Sequence, residues 1–182
     1  AHKSVHDALV DRIEGHLDSW VVVDLFDEET DLGPLIDAAH AEYVDGLVDD
    51  AVEAGARLVR GGERDGAVYE QTLLADVPHD ARLIYEEQFG PVAAVTTFSE
   101  EREAVEIAND GDLALDASVF TTDHDRAMRV AEAVDAGSVR INGAPSHGLG
   151  DVPFGGNDAS GINREGIHAS IDQMLRTKST IL

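Results

Sequence analysis

A chain of 182 residues that is 43% hydrophobic is long enough for one domain with a core of its own and too apolar to be disordered. Its 37 Asp and Glu against 13 Lys and Arg give a formal net charge of −24, which excludes nucleic acid and anionic membrane as partners because both need a basic footprint. The absence of cysteine removes disulfides, thiolate metal sites and a cysteine nucleophile together.

The elements are expected in this order. Residues 4–17 read as a helix capped by Ser4, with Val5, Leu9, Ile13 and His16 or Leu17 at helical spacing. His2 and His6 could share a face as metal ligands, but no third ligand is evident, and a solvated N-terminus is expected. Residues 20–26 are apolar and β-branched, and an acidic run at 27–31 follows. Residues 37–54 form the clearest helix: Ala38, Ala41, Val44, Leu47 or Val48, Ala51 and Val52 line one face, with Asp45, Asp49, Asp50 and Glu53 on the other. Gly55 suits the position just past its end. A short strand at 56–59, a turn at Arg60-Gly61-Gly62 and an extended run at 69–77 come next, closed by Pro78.

Glu86-Glu87-Gln88-Phe89-Gly90-Pro91 then places a carboxylate pair and one aromatic ring before a Gly-Pro breaker, at the entry to a strand over 92–98. Taken alone it reads as a surface turn with solvated acids, although such a turn is also where an α/β protein binds ligands. A helix over 99–109, a strand at 117–121, a helix at 123–134 and a strand at 138–142 follow. Beyond them lie a glycine-rich loop at 143–163, a helix at 164–175 and a last strand at 177–182. A loop that long inside a compact domain is usually functional. Helices alternating with short β-branched strands predict an α/β fold with a largely parallel open sheet flanked by helices. The acids are spread along every segment, and Lys3 and Lys178 are the only lysines. That distribution suits a halophilic setting, where salt screens the self-repulsion. No apolar run has the length of a membrane span and the N-terminus does not read as a signal peptide, so a cytoplasmic location is expected.

Several motifs stand in order: Asp31-Leu32-Gly33-Pro34-Leu35-Ile36; Glu86 to Val92; Ala117-Ser118-Val119-Phe120-Thr121; Ala136-Gly137-Ser138-Val139-Arg140-Ile141-Asn142; and Pro153-Phe154-Gly155-Gly156 with Ser160-Gly161 and Arg164-Glu165-Gly166. Together they resemble the C-terminal, catalytic-domain portion of the NAD(P)-dependent aldehyde dehydrogenase superfamily over nearly the whole chain. The resemblance implies one α/β domain over 1–182, with residues 176–182 as a strand that pairs across subunits. It implies that Glu87 holds the nicotinamide ribose hydroxyls and that Phe89 packs beside the nicotinamide. A carboxylate suits a vicinal diol, and an aromatic ring suits a flat heterocycle. Asn142 would begin the substrate-side loop, Ser146 and His147 would face substrate, and Phe154 would lie where that loop returns to the core.

The resemblance also marks what this chain lacks. The family's nucleophilic cysteine, general-base glutamate and dinucleotide-binding domain lie upstream of the matching region. No catalytic residue is therefore assigned here, no bound NAD or NADP is expected, and the chain alone is expected to be inactive. It departs from the family pattern at Leu113-Ala114-Leu115, Gln71-Thr72, Asp24-Leu25-Phe26, Gly148 and Asp158. The expected function is a C-terminal piece of an aldehyde dehydrogenase, partnered by its missing N-terminal domain or by further copies of itself. The alternatives are one half of a split enzyme and a non-catalytic scaffold or binding module that kept the fold.

Overall fold

The computed structural model describes residues 1–21, 26–144 and 152–181. They fall into two compact units, Ala1–Glu100 and Glu101–Leu182.

The first unit is a three-layer α/β sandwich. Its centre is a sheet in the order β1 (Arg57–Arg60), β4 (Thr72–Ala75), β5 (Val92–Ala94). All four residues of β4 are buried, and its side chains alternate between two cores as the twofold strand period demands. Leu74 joins Val44, Leu47, Val48 and Ala51 of helix α2 (Ala38–Glu53) on one face. Leu73 and Ala75 join Val10 and Leu17 of helix α1 (His6–Leu17) on the other. Of the apolar stripe read from the α2 sequence, Ala41, Val44, Leu47, Val48 and Ala51 are buried, whereas Ala38 and Val52 at its two ends are exposed. Asp37 caps that helix by accepting from the His40 N–H at 2.7 Å, and Gly55 follows it at φ +112°.

The sheet is not the largely parallel one expected. β4 runs parallel to β5 but antiparallel to β1, because the chain between β1 and β4 doubles back through a small antiparallel pair, β2 (Arg64–Asp65) and β3 (Val68–Tyr69). Between β4 and β5 the chain crosses over through a single helical turn, α3 (Arg82–Tyr85), which the sequence reading missed. The N-terminus is not solvated: the Phe98 N–H donates to the Ala1 carbonyl at 3.0 Å, and the Lys3 N–H donates to that of Phe98 at 2.9 Å. His6 is buried near Asp7 and Asp76. Ser4 does not cap α1; its hydroxyl meets His2 Nδ1 at 2.7 Å instead.

The second unit has a different construction. Helices α4 (Glu101–Ala108) and α5 (His124–Ala133) are joined by Glu101, which accepts from Arg126 and Arg129, and by Asn109, which bonds the Ala133 carbonyl and the Asp135 N–H. Strands β7 (Asp116–Val119) and β8 (Ser138–Ile141) are parallel, and β6 (Leu113–Ala114) pairs antiparallel with β9 (Asn157–Asp158). Helix α6 (Ile167–Met174) completes it. Only Ala114 and Ala127 are buried apolar residues among those described in this unit. Ile167, Ile171, Met174 and Leu175 form an apolar stripe at helical spacing that is exposed. Residues 175–181 form no strand, since an edge segment needs a pairing partner and none of the described residues supplies one.

Candidate functional site

The loop between α3 and β5 is held at every point except two side chains. Helix α3 ends at Tyr85, and the Glu86 backbone turns extended while its N–H still donates to the Arg82 carbonyl at 2.8 Å. The Glu86 carboxylate accepts from Arg82 Nε at 2.7 Å and Nη2 at 3.1 Å, and from the Tyr43 hydroxyl at 3.0 Å. Arg82 in turn reaches Asp50 on α2. The guanidinium of Arg82, helped by the Tyr43 hydroxyl, holds Glu86 below the usual carboxylate range. Partial burial and the bond to Glu86 push the Tyr43 phenol up. Glu86 is therefore a fixed anion with its lone pairs in use, and no candidate for ligand binding or proton transfer.

Further along, Gln88 spans the turn, donating to the Val92 carbonyl at 3.3 Å while its oxygen accepts from the Gly90 N–H. His40 Nε2 lies 3.4 Å from the Phe89 carbonyl oxygen. Gly90 passes so close to α2 that a Cβ there would sit 3.0 Å from both Val44 methyls. Phe89 adopts φ +39°, a conformation costly for a bulky residue and kept only where its surroundings impose it. The Pro91 carbonyl then accepts from the Thr72 N–H at 2.8 Å and leads the chain into β5 beside β4.

What is left over is the Glu87 carboxylate and the Phe89 ring. Glu87 is exposed and makes no hydrogen bond or ion pair with any described residue. The Phe89 ring is 76% exposed. An acceptor-only group and a flat apolar ring, two residues apart on a braced loop, can take a diol and an adjoining planar ring. Sequence reasoning named these two residues and missed the bracing set. The usable signal was Arg82 and Glu86 at i, i+4 spacing; the sequence reading assigned Tyr43 and His40 to neither face of α2.

The second unit carries the other expected site residues. Asn142, at φ +54°, spends its side chain on structure: its oxygen accepts from the Thr121 N–H and its amide donates to the Thr121 carbonyl, both at 2.9 Å. That pair prolongs the β7–β8 ladder by one residue, so the Asn142 amide starts the following loop without reaching into it. Ser146 and His147 lie outside the described residues. Phe154 forms an antiparallel bridge with Glu165, with N–H to carbonyl distances of 2.9 and 2.7 Å.

Around that bridge the late glycines meet backbone. A Cβ on Gly137 would lie 1.6 Å from the Gly155 carbonyl oxygen, and one on Gly156 would lie 2.4 Å from the Ser160 Cβ. Arg164 donates to the Gly156 carbonyl at 2.7 Å, and Ser160 Oγ accepts from the Ala114 N–H at 2.9 Å. Gly137, Gly155-Gly156, Ser160-Gly161 and Arg164 are thus one packing node. A cleft of about 310 Å³ opens beside it, lined by Phe154, Ser160, Arg164 and Gln173 among others.

The sequence model described as "Aldehyde dehydrogenase family" matches residues 1–180. The chain belongs to the aldehyde dehydrogenase family. It is 35% identical to 3-sulfolactaldehyde dehydrogenase of Priestia aryabhattai over 181 residues, which is 100% of this chain and 38% of that protein. The fold matches aldehyde dehydrogenase 21 of Physcomitrella patens, solved with the reaction product succinate, at a TM-score of 0.91 and 34% identity; 97% of this chain and 37% of that one are covered. It also matches NADP-dependent glyceraldehyde-3-phosphate dehydrogenase of Bacillus halodurans, solved with NADP, at 0.90 and 36% identity, covering 93% of this chain and 36% of that one. The chain therefore spans a little over a third of the length of these relatives. Family structures are solved with NAD or with NADP, and among the described residues no helix is long and apolar enough to cross a membrane.

Proposed function

We propose that these residues are the C-terminal part of the catalytic domain of an NAD(P)-dependent aldehyde dehydrogenase, working with the upstream portion that the relatives contain. The observation that carries this reading is the loop at 86–91, on which every polar side chain is engaged except Glu87. When bound, the nicotinamide accepts the hydride that leaves the aldehyde carbon. This chain's part is to hold the ribose diol through the Glu87 carboxylate and to face the ring with Phe89. The uncovered apolar stripe of α6 and the coverage of 38% support a larger molecule around it. Residues 176–182 would supply the strand that pairs across subunits, and the −24 charge supports a halophilic, cytoplasmic setting.

The chain alone would not oxidise aldehydes, because the reaction opens with a thiolate and the sequence has no cysteine. Nor would it hold NAD well. A hydrogen bond to a charged group contributes about 1.5–3 kcal/mol, whereas even a millimolar complex requires about 4 kcal/mol. The test is NADH formation from a panel of small aldehydes in molar KCl, with the 182-residue chain alone and mixed with the upstream portion of a relative. Silence alone and turnover on mixing are expected, with Glu87→Gln slowing hydride transfer. Turnover by the chain alone would overturn the reading.

A further inference from the structure

Two side chains one helical turn apart on α2 reach the loop from the same side. Tyr43 donates to Glu86, the residue before Glu87, and His40 Nε2 lies 3.4 Å from the carbonyl of Phe89. Their own rings stand 5.9 Å apart, so each limits the rotation of the other. Between the two grips sit Glu87 and Gln88, and Gln88 is closed on Gly90 and Val92. Adjacent acids on an open turn would otherwise exchange roles, since either could take Arg82. With the Tyr43 hydroxyl and the two-pronged Arg82 contact both on Glu86, Glu87 stays outside that network, and Phe89 is held at positive φ.

The network adds little to folding. The Arg82, Glu86 and Asp50 side chains are each more than a third exposed, and exposed ion pairs stabilise proteins weakly. Convergence of so many groups on one exposed carboxylate is better accounted for by what it orients.

We propose that Tyr43, acting through Glu86, and His40, acting on the Phe89 backbone, are positioning residues that set the Glu87 carboxylate and the Phe89 ring for the nicotinamide–ribose end of the cofactor. This rests on the site reading above. It adds that α2, an element otherwise devoted to packing, determines the geometry of that contact.

The experiment is a titration of the isotope-labelled 182-residue chain with nicotinamide riboside in molar KCl, followed by amide NMR alongside thermal melts. Nicotinamide riboside is a pyridinium cation without phosphates, so the acidic field does not repel it, and weak binding is visible as shifts into the tens of millimolar. In the native chain, shifts are expected at Glu87 and Phe89. Tyr43→Phe should move the resting amide signals of 87–90, weaken the riboside about three- to tenfold, the scale of one hydrogen bond, and leave the melting temperature unchanged. His40→Ala should do the same, and His40→Gln, which keeps a donor, should recover most of the loss. Equal riboside binding in native chain and Tyr43→Phe overturns the positioning role while the site stands. A melting temperature that falls with the binding loss makes Tyr43 structural and also overturns it. Absence of shifts at Glu87 and Phe89 in the native chain overturns the site and this role together.

Discussion

Replacing Gly137 by alanine should break the second unit for a steric reason alone. Gly137 is not at positive φ, so alanine suits the backbone there. The obstacle is the Gly155 carbonyl oxygen, 1.6 Å from where the methyl carbon would lie. Ordinary contact needs roughly twice that separation, and the atom in the way is backbone, which cannot rotate aside. Relief requires moving the 154–156 segment away from the start of β8. That movement breaks the two Phe154–Glu165 hydrogen bonds and the Arg164 bond to Gly156. At about 1 kcal/mol each these sum to about 3 kcal/mol, and the smaller unfolded-state entropy of alanine returns about 0.4–1 kcal/mol. A net loss of about 2 kcal/mol is large for a unit whose buried apolar residues, among those described, are two alanines. Hydrogen exchange read by mass spectrometry in molar KCl should show peptides from 113–166 losing protection while those of α2 keep theirs. Gly46→Ala is the matched control, since nothing lies within 4 Å of its Cβ on an exposed face of α2; it should stabilise by about 0.5–1 kcal/mol. If Gly137→Ala melts with the native chain and protection is unchanged, the packing node is wrong.

The −24 charge implies that stability rises with salt. The Debye length falls from about 10 Å at 0.1 M to about 3 Å at 1 M, so the melting temperature should climb across that KCl range, and a flat profile would refute the role of repulsion. Lowered carboxylate pKa values predict the acid limb. Arg129 and Arg126 depress Glu101, and the Arg126 N–H depresses Asp123. A depressed carboxylate contributes stability that is complete above its unfolded pKa and is lost as pH falls through the folded value. Melts in molar KCl should therefore hold level from neutral pH to the ordinary carboxylate range and drop below it. Glu101→Gln should remove part of that drop.

The sequence by itself determined whatever depends on near neighbours. The stripe Ala41, Val44, Leu47, Val48, Ala51 recurs every three or four residues, and that period alone specifies a helix with one buried face. Asp37 and Asp123, read as the first residues of their helices, turn out to be the caps of α2 and α5. The ordered motifs likewise revealed the family. Tertiary structure decided what depends on distant partners. Strand direction was one such matter, since β1 and β5 flank β4 with opposite polarity and no period in the sequence encodes which neighbour a strand takes. The strand expected at 177–182 was another: a strand exists only against a partner, and residues 177–181 have none among those described. The sharpest case is Glu86 and Glu87, identical residues side by side. A tyrosine 43 positions away and one arginine donate to the first and leave the second without a partner among the described residues. Asn142 shows the converse, an amide that could have faced a substrate and is instead consumed by the backbone of Thr121, 21 residues distant. Chemical type is local, whereas whether a polar group is spent or free is settled by hydrogen bonds between residues far apart in the chain.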